Sequence, residues 1–147
     1  MAKLAFDEVK KLAQDNNRSS KVSDRLLLCL IWKESGFNDA VKNSTSSATG
    51  LMQVTRAAVT DVNANTPKGV HYIHSEMSDS AKNVQCGSYY LDIRIKRAGG
   101  DIKKGIERYG TGSGYADNLL ACEACLKDLW DGKTPDQQTP CLFAIHL

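Results

Sequence analysis

The stretch LLLCLIWKESGFNDA, residues 26–40, places a carboxyl group at the end of an otherwise apolar helix. Because residues 26–32 are apolar nearly all round, they predict a helix that is buried on several sides at the centre of the fold. Glu34 follows within one turn, where burial would be costly unless the carboxyl group were paired or kept its proton. Most glutamates that close a helix are simply solvated. The role of Glu34 therefore has to be judged from the rest of the chain.

The composition indicates one folded domain over residues 1–147. The chain is 41% hydrophobic and 24% charged, and it is long enough to bury its own core. Residues 132–147, with two prolines and an apolar end, form a tail that is either packed on the domain or loose. No apolar run approaches the ~20 residues of a membrane span. The net charge of +2 is not concentrated in a basic stripe, so we expect no binding to nucleic acid. We also expect a monomer that does not insert into membranes.

Helical periodicity extends over most of the chain and predicts a mainly α fold. The first helix carries Leu4 and Val9 and ends at the polar residues 15–20. Four further helices are expected to begin at caps provided by Ser23, Thr55, Ser78 and Asp101. A final helix starts at Tyr115 and ends at Gly132. Residues 38–50 are rich in Asn, Ser, Thr and Gly, which indicates polar loops or a very small β element after the central helix.

The five cysteines are an odd number, so at least one is free in a monomer. Cys29 lies inside the apolar run, where a free cysteine packs as a small hydrophobe. Disulfides are expected only in an oxidising compartment, and their pairing does not follow from the sequence. Cys122 and Cys125 could bind zinc together with His71 and His74, but the two pairs occur in the wrong order for a zinc finger. We therefore predict neither a metal nor another cofactor.

The region around Glu34 resembles a known motif. In LLLCLIWKESGFNDAVKNSTSSATGLMQVT, Glu34-Ser35 ends a helix and a loop leads to Gly50-Leu51-Met52-Gln53, as in the opening motif of the lysozyme-like lytic transglycosylases. This family, the SLT-domain family, is related to goose-type lysozymes. The segment from Asn83 to Leu120 is similar to the family's later blocks, in which the matching positions are Asn83, Gly87, Leu91, Gly100, Asp101 and Tyr109. The family's usual Tyr-Asn is Tyr109-Gly110 here, so a side chain that could contact sugar is missing.

The resemblance implies a lysozyme-like orthogonal helical domain that cuts the β-1,4 bond between N-acetylmuramic acid and N-acetylglucosamine in peptidoglycan. Glu34 occupies the position of the family's catalytic acid. The chemistry of the residue agrees, because a glycosidic oxygen leaves only when an acid protonates it, and an apolar wall raises the pKa of a carboxyl group. Trp32, Leu51 and Met52 are expected to form that wall.

A glycosidase that hydrolyses its substrate uses a second carboxylate. In lytic transglycosylases the 6-hydroxyl of the sugar attacks the anomeric carbon instead, which leaves a 1,6-anhydro end, and one glutamate serves as acid and then as base. The candidates for a second carboxylate are Asp39, Glu76, Asp79 and Glu107. None lies in a recognisable nucleophile motif, and each fits a surface charge or a helix cap. The sequence thus favours the transglycosylase over a hydrolytic lysozyme of goose type.

The expected substrate-binding residues are Ser35, Gly50, Leu51, Met52, Gln53 and Tyr109. Ser35 either ends the helix or holds the carboxyl group or the substrate. Gly50 is either a turn residue or a point where the backbone approaches a sugar. Gln53 can pair with sugar hydroxyls and amides. Tyr109 is either a core aromatic residue or a site residue whose hydroxyl binds Glu34 or the substrate. Tyr72, Tyr89, Tyr90 and Tyr115 are weaker candidates for groove walls.

A non-catalytic module that binds glycan for assembly or wall anchoring remains an alternative, since a fold alone does not establish chemistry. Peptidoglycan strands are the expected partner. They lie in the periplasm or cell wall, yet the N-terminal sequence MAKLAFDEVKKLAQ lacks the apolar region of a secretory signal. We therefore expect delivery by a secretion machine or during phage lysis, or a mature fragment of a longer precursor. An antibacterial, bacteriolytic effector would also predict an immunity or inhibitor protein.

Overall fold

The protein has the mainly helical fold that the sequence predicts. A computed structural model describes residues 3–110, 114–131 and 135–144. The helices are α1 (Phe6–Asn16), α2 (Asp24–Ser35), α3 (Arg56–Asn65), α4 (Ser80–Arg97), α5 (Ile102–Tyr109), α6 (Tyr115–Lys127) and α7 (Pro135–Gln138). Short 3-10 helices span His74–Glu76 and Thr139–Ala144. No helix in the described ranges is both long and apolar enough to cross a membrane.

Most of the helix starts follow from their caps. Ser23 accepts a hydrogen bond from the Leu26 amide at 3.0 Å, and Thr55 and Asp101 cap α3 and α5 in the same way. The prediction that Ser78 caps α4 is wrong by one residue, because the carboxylate of Asp79 accepts from the Lys82 amide at 3.0 Å. Helix α6 ends earlier than expected, at Lys127. The predicted end at Gly132 lies outside the described residues.

Helix α2 forms the centre of the fold, as its apolar sequence predicts. Its residues 26–31 are all buried, and the helix packs against α1 and α6. Cys29 is also buried, but it is joined to Cys122 of α6 in a disulfide, which corrects the expectation of a free cysteine. A second disulfide joins Cys125 to Cys141, and Cys86 is free and buried. With Cys122 and Cys125 in disulfides, neither thiolate is available to bind zinc.

The polar segment after α2 is an ordered loop with very little β structure. Within the described ranges, antiparallel bridges pair Thr49 with both Lys42 and Val54. The loop is held from α4 by the buried amide of Asn83. Its oxygen accepts from the Met52 amide at 2.8 Å, and its nitrogen donates to the carbonyl oxygens of Thr49 and Met77, each at 2.8 Å. Residues 49–53 therefore have a fixed position relative to α4.

The described part of the tail packs against the helical body. The Gln138 amide nitrogen donates to the carbonyl oxygens of Leu129 and Trp130 at 2.7 and 3.0 Å. Cys141 and Leu142 are buried. Together with the Cys125–Cys141 disulfide, these contacts attach residues 138–142 to α6 and to the segment that follows it.

Helices α4 and α5 cross at a point where only glycine fits. A Cβ atom on Gly105 would lie 2.6 Å from the Ile95 Cα atom and 2.9 Å from the Ile95 backbone nitrogen. Backbone atoms cannot move aside as a flexible side chain can, so a larger residue would have to separate the two helices. Because α4 carries Tyr90 and α5 carries Tyr109, this crossing also sets the spacing of these two tyrosines.

We expect Gly105→Ala to lower the free energy of unfolding by about 1–3 kcal/mol, since the added methyl overpacks the α4–α5 crossing. Urea denaturation followed by circular dichroism measures the change. The control is Lys104→Ala at the neighbouring exposed position, which should stay within about 0.5 kcal/mol of the wild type. A Gly105→Ala variant as stable as the wild type would contradict the described crossing.

Candidate active site

A cavity of about 370 Å³ opens beside the last turn of α2, and Glu34 is part of its wall. The wall is assembled from α2, the polar loop, the start of α3, helix α4 and the end of α5. Its described residues are Glu34, Asn43, Ser46, Ala48, Gln53, Val54, Thr55, Ala58, Tyr90, Arg94, Arg108, Tyr109 and Gly110. Glu34 is the one carboxyl group in this set, beside two guanidinium groups and two phenols.

A second cavity, of about 320 Å³, adjoins the first and shares Asn43, Ser46 and Ala48 with it. Its wall is polar and carries the cations of Lys42 and Arg56. The two cavities together extend the polar surface away from Glu34, along the loop that follows α2.

The Glu34 side chain is largely removed from water, with 12% of its surface exposed. Burial raises its pKa above the ordinary value, because desolvation disfavours the charged form. The Lys33 ammonium lies 3.2 Å from Oε2 and offsets part of this increase. The net direction is upward, which favours the protonated form that a general acid needs.

The residues that surround Glu34 are not the predicted ones. Trp32 packs edge-on against Phe37, with 4.9 Å between ring centroids, and it is not part of the cavity wall. Leu51 and Met52 are completely buried in the core and do not reach the cavity. The prediction that Trp32, Leu51 and Met52 form an apolar wall around Glu34 is therefore wrong. Tyr109 and Tyr115 lie close enough to Glu34 for its charge to raise the pKa of each hydroxyl further, after desolvation as the main cause.

Tyr109 lines the cavity, but its hydroxyl does not point to Glu34. It donates to the Met52 carbonyl oxygen at 2.7 Å, and its ring lies against Tyr90 with 5.4 Å between centroids. Tyr109 therefore joins α5 to the loop that Asn83 holds, and it presents an aromatic surface to the cavity. The expected hydrogen bond from this hydroxyl to Glu34 is absent, and a contact with substrate stays a prediction.

The other predicted binding residues divide into two groups. Gln53 lines the cavity, and its amide nitrogen donates to the carbonyl oxygens of Val41 and Gly50. Ser35 instead donates to the Ile31 carbonyl oxygen at 3.0 Å, as serines near helix ends often do. At Gly50, a Cβ atom would lie 2.7 Å from the Met77 carbonyl oxygen and closer still to the Asn83 amide nitrogen, so this glycine makes room for Asn83 rather than for a sugar.

The four candidate second carboxylates lie outside the described wall of the Glu34 cavity. Glu76 forms an ion pair with Lys82, and Asp79 caps α4. Tyr72 and Tyr89 are likewise elsewhere, in a depression formed with Arg18 and His71. Of the weaker aromatic candidates, Tyr90 reaches the cavity, whereas Tyr115 is outside the described wall and its ring lies against the Lys33 ammonium.

Sequence reasoning missed the cations of the site. Arg94 stacks on Tyr90, with 4.9 Å from its guanidinium carbon to the ring centroid, and it donates to the Tyr90 hydroxyl. The spacing of these two residues, four apart on one helix, is a usable signal. Neither Arg108 nor Lys33 could be predicted from such a spacing. Arg108 only precedes Tyr109 in the sequence, and Lys33 only precedes Glu34.

Residues 11–122 match the family described as "Transglycosylase SLT domain". The match covers about three quarters of the chain, from α1 to the Cys122 disulfide, and it includes Glu34 and Tyr109. No solved structure matches the protein significantly.

We expect Tyr109→Phe to lower the free energy of unfolding by about 1–3 kcal/mol, since the buried Met52 carbonyl would lose its hydrogen-bond donor. Thermal unfolding measures the change. The control is Tyr89→Phe, whose ring lies against Tyr72 away from the loop, and we expect a smaller loss there. Equal losses in the two variants would show that the hydrogen bond to Met52 contributes nothing specific.

We expect Glu34→Gln to be at least as stable as the wild type at neutral pH. A carboxyl group whose pKa is raised by folding binds its proton more tightly in the native state, so the wild type loses stability as pH rises from about 4.3, the value of an exposed glutamate, through the folded pKa. The amide of the variant does not titrate. Melting temperatures of both proteins between pH 3 and pH 8 should therefore diverge as pH rises, and a less stable variant at pH 7 would refute the raised pKa.

Proposed function

Because the chain belongs to the transglycosylase SLT domain family, whose members are lytic transglycosylases that act on peptidoglycan, we propose that Glu34 is its general acid and base. The proposed bond is the β-1,4 linkage between N-acetylmuramic acid and N-acetylglucosamine, and the proposed product carries a 1,6-anhydro end. The observation that carries this proposal is the buried Glu34 carboxyl group, with its raised pKa, in the wall of an open polar cavity.

In the first step, Glu34 donates its proton to the glycosidic oxygen as the bond to the anomeric carbon breaks. The leaving group departs as an alcohol, which is a far better leaving group than an alkoxide. Desolvation of Glu34 supports this role, because it raises the pKa of the carboxyl group and so favours the protonated form. The carboxylate that remains is then adjacent to the reacting sugar.

In the second step, the carboxylate accepts the proton of the sugar's 6-hydroxyl while that oxygen bonds to the anomeric carbon. One carboxyl group is enough for both steps. The described cavity wall supports this scheme, since it holds Glu34 together with Arg94 and Arg108 and contains no second carboxyl group. An inverting or retaining hydrolase would place another carboxylate across the bond.

The groove formed by the two adjoining cavities suits a glycan strand. Asn43 and Ser46 offer amide and hydroxyl groups that suit sugar hydroxyls and acetamido groups, and Gln53 offers its amide oxygen. Tyr90 and Tyr109 provide an aromatic patch beside Glu34. The residues proposed to contact substrate are therefore Gln53 and Tyr109 from the predicted set, joined by Tyr90 and the shared loop residues.

The two disulfides support action outside the cytoplasm, in the periplasm or cell wall where peptidoglycan lies, because disulfides persist in oxidising compartments. Delivery as a secreted effector or as a phage lysis protein stays a prediction from the sequence. The inhibitor partner of an effector also stays a prediction.

We expect purified wild-type protein to release soluble muropeptides from peptidoglycan sacculi, and Glu34→Gln to lower turnover by at least ~10²-fold, since the amide has no proton to transfer. Mass spectrometry of the products measures both rate and end group. The matched control is Glu107→Gln, an acid on α5 outside the cavity wall, which should remain active.

The same experiment separates the alternatives. Anhydro ends support the transglycosylase, whereas reducing ends would replace it with a hydrolase of goose-lysozyme type. Binding to sacculi without release of muropeptides by the wild type would leave a glycan-binding module. Full activity of Glu34→Gln would remove Glu34 from the mechanism.

A further inference from the structure

Lys33 makes an unusual contact for a residue that precedes the proposed acid on the same helix. Neighbouring residues on a helix point in different directions and do not normally face each other. Even so, the Lys33 side chain turns back so that its Nζ atom lies 3.2 Å from Glu34 Oε2, with only 18% of the lysine side chain exposed. Fixing a long flexible side chain in this way costs conformational entropy, which contacts with other groups must offset.

The group that holds Lys33 is the aromatic ring of Tyr115. The ammonium lies 3.9 Å from the ring centroid, which is a close cation–π contact. The ring itself is fixed through its hydroxyl, which donates to the Ile106 carbonyl oxygen and accepts from the Gly110 amide at 3.2 Å. Helix α6 thus supplies a platform on which the lysine is held against the carboxyl group.

Gly110 provides the space for this arrangement. A Cβ atom at this position would lie 2.7 Å from the Tyr115 hydroxyl oxygen, 3.2 Å from Lys33 Nζ and 3.3 Å from Glu34 Oε2. Any side chain here would therefore compete with all three groups at once. Gly110 thus leaves open the place where the ammonium, the phenol and the carboxyl group meet.

The other charged groups near Glu34 are farther from its oxygens than Lys33 is, and the nearby phenols carry no charge near neutral pH. Arg94 and Tyr90 reach the cavity from α4, and Arg108 and Tyr109 reach it from α5. Burial keeps Tyr109 and Tyr115 protonated, with the pKa of Tyr115 raised to about 12. Of these groups, Lys33 is the one in direct contact with the carboxyl group. Residues 111–113 are Thr, Gly and Ser, which do not titrate in this range.

We propose that Lys33 is a positioning residue that fixes the Glu34 carboxyl group and stabilises the carboxylate formed when its proton is donated. This inference rests on the proposed function. As the proton passes to the glycosidic oxygen, that oxygen keeps the electron pair of the broken bond, and the negative charge left on Glu34 is paired with the ammonium. When the carboxylate later takes the proton of the 6-hydroxyl, the pair returns to its first state.

Lys33 resolves a conflict that burial creates. Desolvation alone would raise the pKa of Glu34 further and make its carboxylate more costly to form. An ammonium in contact opposes that effect without removing the proton outright. Since Lys33 is not part of the described cavity wall, it acts on the acid and not on the substrate.

The test compares Lys33→Met, which removes the charge, with Lys33→Arg, which keeps it. Carbon NMR of the Glu34 carboxyl group gives its pKa without any substrate. We expect a rise of about 1–3 units in Lys33→Met, the range for loss of an opposite charge at this distance, and a much smaller change in Lys33→Arg. In assays on sacculi, the alkaline limb of the rate profile should move to higher pH in Lys33→Met, with kcat reduced and KM little changed.

An unchanged Glu34 pKa in Lys33→Met would overturn the proposal, whatever the activity of the enzyme. A shifted pKa with no wild-type cleavage of sacculi would instead contradict the proposed function and leave the Lys33–Glu34 coupling supported. If Lys33→Met does not fold, Lys33→Gln replaces it with the same expected direction. A fall in kcat that Lys33→Arg does not partly restore would also count against the electrostatic role.

Discussion

The buried side-chain amide of Asn83 is the contact on which the arrangement of the site depends. Its three hydrogen bonds fix the backbone of residues 49–53 against α4. A buried amide left without partners would cost the fold free energy, so the loop and the amide stabilise each other. Once the loop is fixed, the Met52 carbonyl is placed to accept from Tyr109, and Gln53 is placed in the cavity wall. Asn83 thus holds the loop against α4, and Tyr109 joins the same loop to α5.

The glycines near this contact have the same purpose. Gly50 leaves space for the Asn83 amide, and Gly87 leaves space for Met52, whose Sδ atom would lie 2.5 Å from a Cβ atom there. Both glycines therefore serve close packing behind the cavity, and neither is part of its described wall.

The elements of the fold can largely be predicted from the sequence, because helix caps and apolar periodicity are local signals. Ser23, Thr55 and Asp101 each satisfy a backbone amide within the next turn. The site is harder to predict. The motif correctly directs attention to Glu34, which lies in the cavity wall. It also predicts that Leu51 and Met52 line the cavity, but both are buried behind it. The sequence does not show which side of a loop faces solvent.

Two further features need three-dimensional information. The pairing of Cys29 with Cys122 joins positions 93 residues apart, and no local pattern encodes that proximity. The Lys33–Glu34 contact runs against the usual directions of side chains on a helix, so spacing rules argue against it. It becomes understandable only when Tyr115 and Gly110 are seen beside it.

The burial of Cys86 has a consequence for the durability of the folded protein. Desolvation raises the pKa of its thiol to about 12, so that almost none of it is thiolate at neutral pH. Exchange between thiols and disulfides proceeds through the thiolate, and the attacking sulfur must reach the disulfide. The fifth cysteine is therefore unreactive toward the two cross-links once the core has closed around it. The native pairing is protected from internal rearrangement by packing, whereas the unfolded chain has no such protection.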